Sequence, residues 1–212
     1  YYRNLRYVRS NSTSHWKGIV HEAVYIDDAI DAVQLMPEEC WIDSRHLGHR
    51  SQQTDTFLRD AELLQAAVSK DPKDARSWFY LGQSYRDAGE FERAASAYLE
   101  RLKLGGWEEE IYCSLLELGR LQRRMGTPWP IAMNSLLSAY DYRPSRLEAI
   151  YEVVRELREQ GKFSVAYALS VVPSSVEDSP DWLFVEREVY HWRMMDERAI
   201  CAGATGRWEE AI

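Results

Sequence analysis

Four of the chain's five histidines, His15, His21, His46 and His49, fall within the first fifty residues. Imidazole ligates metals and carries protons near neutral pH, so their concentration marks this stretch as the place where chemistry would sit. Glu22 follows His21 directly. Neighbouring residues of a strand point to opposite faces, so His21 and Glu22 reach one ligand together only across a bulge or loop. One of the two is then structural. An imidazole such as His21 can ligate a metal or donate a hydrogen bond, whereas a carboxylate such as Glu22 can pair with an arginine. The bland reading is that a polar loop has collected surface histidines. Hydrolytic chemistry finds no support, because there is no Gly-x-Ser-x-Gly elbow, and Asp27-Asp28 and Glu38-Glu39 read as turn residues rather than an acid and base.

The elements that would position these residues are strands and loops. Leu5 to Val8, Gly18 to Ile26, Ala32 to Leu35 and Cys40 to Ile42 are short apolar or β-branched runs separated by Asn, Ser, Asp and Pro. Within them, Arg9-Ser-Asn, the word Trp16-Lys-Gly-Ile-Val-His-Glu22 and the later Ile42-Asp-Ser-Arg-His-Leu-Gly-His-Arg50 resemble the last part of the catalytic domain in glycosyltransferase family 2. The resemblance implies a GT-A fold that binds a nucleotide-sugar donor through a divalent metal, manganese or magnesium, and glycosylates a glycan or protein acceptor. It also implies that His21 and Glu22 are the candidate catalytic residues, with His21 on the metal side. The family's Asp-x-Asp motif is absent, as is the long strand and helix alternation of a nucleotide-binding half. The isolated chain is therefore expected to bind no cofactor, and to be the C-terminal portion of such an enzyme.

From Asp55 onward a helical period takes over. Phe57, Leu58, Ala61, Leu64 and Val68 form one stripe up to Asp71-Pro72, which predicts a lone leading helix. Asp74 to Trp107 then reads as a helical hairpin turning at Gly89, with Trp78, Leu81, Gly82 and Tyr85 on one helix and Phe91, Ala94, Tyr98 and Leu102 on the other. This order resembles the tetratricopeptide repeat (TPR). Gly89, Gly126 and Gly161 recur at spacings near the repeat's roughly 34 residues, Leu118-Gly119 reproduces Leu81-Gly82, and Ala132 and Ala166 stand where Ala94 did. Val172 to Asp181 reads as an irregular loop, and a long helix is expected from about Trp182 to Ala204. The expected architecture is mainly α: a TPR-like α-α superhelix over residues 51–212, preceded over residues 1–50 by a short α/β or strand-rich remnant of a GT-A domain.

In such a stack the first helix of each pair lines the concave wall. The helical register puts Arg86, Arg120, Arg123, Arg155 and Arg158 there, with Phe79 and Tyr151 beside them. Arginine with aromatic rings suits carboxylate, phosphate, sugar or peptide ligands. Equally open is a solvated face whose arginines pair with Glu117, Glu152 and Glu159.

A net charge of −8 opposes nucleic acid as partner. No apolar run is long enough to span a membrane, and the first residues lack an export pattern. Three distant cysteines suggest neither a disulfide scaffold nor a zinc site, which fits a cytoplasmic protein. Two functions remain: the transferase portion, with repeats positioning acceptor or partner, or a non-catalytic TPR scaffold for protein–protein interaction.

Overall fold

A computed structural model of the chain describes residues 13–20, 22–26, 56–171 and 176–210. His21, His46, His49, Arg9, the word from Ile42 to Arg50 and the boundary at residue 50 lie outside the described residues. What is described of the N-terminal stretch is a β-hairpin. β1 (Ser14–Lys17) pairs antiparallel with β2 (Ala23–Ile26), Trp16 opposite Val24 and His15 opposite Tyr25. The expected run from Gly18 is broken, because Gly18 takes a φ of +124°, so residues 18–20 belong to the connection rather than a strand. Val20 is buried there and joins the same core cluster as the helices.

Helices follow in order: α1 (Thr56–Lys70), α2 (Ala75–Asp87), α3 (Phe91–Lys103), α4 (Glu108–Arg124), α5 (Trp129–Tyr142), α6 (Glu148–Glu159), α7 (Phe163–Val171) and α8 (Met194–Ala204). α2 starts where Asp74 accepts the Ser77 N–H at 3.2 Å, a side-chain cap for a backbone donor the helix leaves unpaired. At each turn between paired helices the chain reverses on a glycine. Gly89, Gly126 and Gly161 have φ of +81°, +72° and +72°, and each donates its N–H to the carbonyl three residues back, on Arg86, Arg123 and Arg158. The three arginines therefore occupy one register in three successive repeats.

Burial follows the repeat. Leu81, Ala94, Tyr98, Ala132, Leu136, Val154 and Ala166 are all fully buried. Where the paired helices cross, a Cβ on Gly82 would stand 2.7 Å from the Tyr98 ring, and one on Gly119 would stand 2.7 Å from Leu136. The crossing is thus closed by a large side chain lying against bare backbone. In the third repeat Val154 holds the corresponding place.

The C-terminal part departs from the sequence expectation. Residues 176–186 are not helical, and a π-helical turn (Val189–Arg193) precedes α8. The reason is hydrogen bonding. The Trp182 and Leu183 N–H groups donate to Glu109 on α4, and Phe184 holds a φ of +49°, which no right-handed helix accommodates. Among the described residues no helix is long and apolar enough to cross a membrane.

Candidate functional site

α2, α4 and α6 present their polar faces to one concavity of about 1100 Å³. Arg86, Arg120, Arg123 and Arg155 line it, and Phe57 and Trp129 stand at its margin. Each guanidinium meets a carboxylate. Glu117 sits between Arg86 and Arg120, at 3.0 Å from each. Glu152, its side chain only 7% exposed, takes Arg120 at 3.0 Å, Arg123 at 3.2 Å and Arg155 at 3.0 Å. Arg123 also pairs with Glu156, and Arg120 with Glu186 at 2.7 Å. Arg158 lies apart from this concavity and pairs with Glu197 of α8. Of the carboxylates expected from sequence, Glu117 and Glu152 are central, whereas Glu159 stays 3.7 Å or more from its arginines.

The wall is therefore a ladder of alternating charge. Burial works to discharge Arg120, but Glu186, Glu117 and Glu152 outweigh it and hold the guanidinium charged more firmly than a free arginine. Arginines in a bare row would repel, and their removal would leave folding intact. With Glu152 nearly buried, the opposite holds. Arg120→Gln with Arg123→Gln is expected to cost about 1–3 kcal/mol, since a half-desolvated carboxylate loses two of its three cations. A thermal melt checks this, and an unchanged midpoint would mean that the ladder is solvent-screened.

Joined to this concavity through Glu186, whose N–H donates to Glu148, is a buried polar cluster. Arg146 and Glu148 are both fully buried. Arg146 donates through Nε and Nη2 to Glu148 at 3.0 Å, through Nη1 to Asp181 at 3.3 Å and to the Leu183 carbonyl at 3.1 Å, and through Nη2 to the Phe184 carbonyl at 3.3 Å. Its guanidinium also lies 4.5 Å above the Tyr112 ring. Glu148 further accepts the Tyr112 and Tyr190 hydroxyls at 3.1 Å each and the Glu186 N–H at 3.0 Å. Asp181 is 2% exposed. Burial pushes its carboxyl up, but Arg143 and then Arg146 pull it back, leaving it below the usual carboxylate range. Burial pushes the thiol of Cys113, which donates to the Leu183 carbonyl beside this cluster, up to about 12.

The sequence-selected residues are thus distributed unevenly. His21 lies outside the described residues, and Glu22 is solvent-exposed. Phe79 is buried and does not line the concavity; Phe184 stacks on it with ring centres 6.3 Å apart. Tyr151 is also buried, with the Arg155 guanidinium 5.7 Å from its ring. Among the described residues no three His, Cys, Asp or Glu side chains gather as a metal site. Sequence reasoning missed Glu109, Arg143, Arg146, Glu148 and Asp181. The available signal was Trp182-Leu-Phe184, an apolar triplet inside a Ser- and Pro-containing loop, which has to be packed against something.

Residues 63–95 match the tetratricopeptide repeat family. No curated protein sequence matches the chain. Among solved structures, MamA is similar at 16% identity, covering 81% of this chain and 90% of its own, with a TM-score of 0.58. YrrB, described as a TPR protein with an unusual peptide-binding site, is similar at 15% identity over 74% of both chains, TM-score 0.52. A Podosopora anserina putative kinesin light chain with nearly identical TPR-like repeats is similar at 20% identity over 76% of this chain and 85% of its own, TM-score 0.53. A repeat-family match over residues 63–95, together with structural likeness spanning three quarters of the chain, shows that the helical part has a fold like that of tetratricopeptide-repeat proteins.

Proposed function

We propose that this chain is a protein-interaction module, and that the concavity lined by Arg86, Arg120, Arg123 and Arg155 takes a polypeptide segment of a partner. One observation carries the reading: next to this concavity, and joined to it by Glu186, residues of α2, α4, the α5–α6 connection and the start of α6 already hold a non-helical stretch of the chain, residues 181–186. A wall that alternates guanidinium and carboxylate offers donors to peptide carbonyls and acceptors to peptide N–H groups. Phe57, 47% exposed, and Trp129 offer apolar contacts at the margin. The peptide-binding site described for YrrB is consistent with this use of the fold.

Panning random phage-displayed peptides on the protein tests the proposal. Peptides should be recovered whose binding falls at least tenfold with Phe57→Ser or Arg155→Gln, two partly exposed positions, while the melting temperature stays within a few degrees (roughly 1 kcal/mol or less). Failure to recover any peptide, or recovery of peptides indifferent to both changes, overturns it.

The finer reading is that the module ends a nucleotide-sugar-dependent glycosyltransferase. Residues 1–50 would be the C-terminal segment of the catalytic domain, His21 and Glu22 its site residues, and residues 51–212 the part that positions an acceptor. What supports it is the wording from Trp16 to Glu22 and from Ile42 to Arg50. Transfer of a labelled sugar by the intact protein with manganese, lost on His21→Ala, is the expected result. An intact protein that turns over no uridine- or guanosine-linked sugar would remove this reading and leave the interaction module.

A further inference from the structure

Residues 181–186 pack against α2, α4 and the start of α6, and the way they are held differs from ordinary loop packing. Asp181 receives Arg143 through two guanidinium nitrogens and Arg146 through a third. The next two N–H groups, of Trp182 and Leu183, donate to one Glu109 oxygen at 2.9 and 2.7 Å. The next two carbonyls, of Leu183 and Phe184, accept from Arg146 at 3.1 and 3.3 Å. The Phe184 ring then stacks on Phe79, nearly parallel at 21°. Trp182 between them keeps its side chain 54% exposed. The wall thus reads a carboxylate, then two peptide units, then a ring, and leaves the residue after the carboxylate largely to solvent.

We propose that Phe79, Glu109, Arg143 and Arg146 form a peptide-recognition site specific for Asp-x-x-Phe, that residues 181–184 are its resident occupant, and that a partner segment with the same pattern exchanges with them. This rests on the reading of the concave wall as a binding surface. Two features favour exchange over permanent packing. An incoming segment of the same pattern reproduces the contacts of residues 181–184 with Arg143, Arg146, Glu109 and Phe79, so the charges and donors of those side chains stay paired in the exchanged state. The occupant also carries strain at Phe184, whose φ of +49° is costly for a residue with a Cβ and is not required of an unconstrained peptide. Against exchange stand tethering, which gives the resident segment a millimolar-scale effective concentration, and the contacts of Glu186 with Glu148 and Arg120.

The test uses a fluorescein-labelled peptide copying residues 179–186, titrated by anisotropy against the full chain and against Asp181→Ala/Phe184→Ala, whose own segment no longer fits. The peptide should bind the double variant at least tenfold more tightly than the parent. Peptides carrying Asp→Asn or Phe→Ala should bind at least tenfold less tightly to that variant. Should the double variant not fold, Phe184→Gly serves in its place, since glycine accepts the positive φ and removes only the ring. A folded variant that does not bind the peptide, or that binds the altered peptides equally well, overturns the proposal. If phage-derived peptides still bind the neighbouring open concavity in that case, only the exchange fails and the interaction module stands. Loss of both would overturn both.

Discussion

Replacing Glu148 by alanine is expected to destabilise the protein by about 3–5 kcal/mol, the cost of removing one partner from a buried ion pair. In a chain of this size that is a fall in melting temperature of roughly 6–20 °C. The magnitude follows from what the carboxylate holds. Glu148 is fully buried and compensates Arg146, which is equally buried, while accepting two tyrosine hydroxyls and the Glu186 N–H. Its loss strands a desolvated guanidinium with Asp181 as the remaining carboxylate beside it, and leaves three further donors without their acceptor. Glu148→Gln keeps the shape and one oxygen acceptor but brings an amide donor toward Arg146, so it should fall between the parent and alanine. Because each repeat leans chiefly on its neighbours, hydrogen exchange should quicken first in α6, the segment 181–186 and α8. A melting midpoint for Glu148→Ala within 2 °C of the parent, on the order of 1 kcal/mol or less, would show that the cluster contributes little.

Gly82→Leu is the second large effect, expected to exceed the roughly 1–3 kcal/mol usual for overpacking. A Cβ at this position would already lie 2.7–2.9 Å from three atoms of the Tyr98 ring. Tyr98 cannot swing aside, since it is fully buried and meets Phe79 edge-on with ring centres 6.3 Å apart. The more telling substitution is Gly82→Ala. In an exposed helix, alanine is better than glycine by about 0.8–1.0 kcal/mol. Here the sign should reverse, with a lower urea midpoint and no change in the dependence on denaturant. An alanine variant as stable as the parent, or more so, would mean that α2 and α3 have room to separate at this crossing.

How much of this was legible in the sequence differs from element to element. The stack itself was legible. Trp78, Leu81, Gly82 and Tyr85 lie within one to two helical turns of one another, and the glycines that reverse the chain recur with the repeat, so short-range sterics and hydrophobic period suffice to place helices, turns and crossing points. The register that gives Arg86, Arg123 and Arg158 the same place in successive repeats was legible for the same reason, each standing three residues before its turn glycine, although Arg158 lies apart from the concavity that Arg86 and Arg123 line.

What faces those arginines was not. Glu152 is 32 residues from Arg120 and 29 from Arg123. Whether its carboxylate falls between them depends on how far α6 is rotated and shifted against α4, which is invisible to any local window. Nor did local period foretell residues 182–186, whose apolar run after Pro180-Asp181 reads equally well as the start of a helix. The decision was made from outside the segment. Arg143 and Arg146 capture Asp181 from 38 and 35 residues away, and Glu109 takes the N–H groups of residues 73 and 74 positions further along. Sequence determined the helices because their donors and acceptors are satisfied within four residues. Only the tertiary structure decided the concave wall, because there the backbone and charged groups find their partners in other repeats.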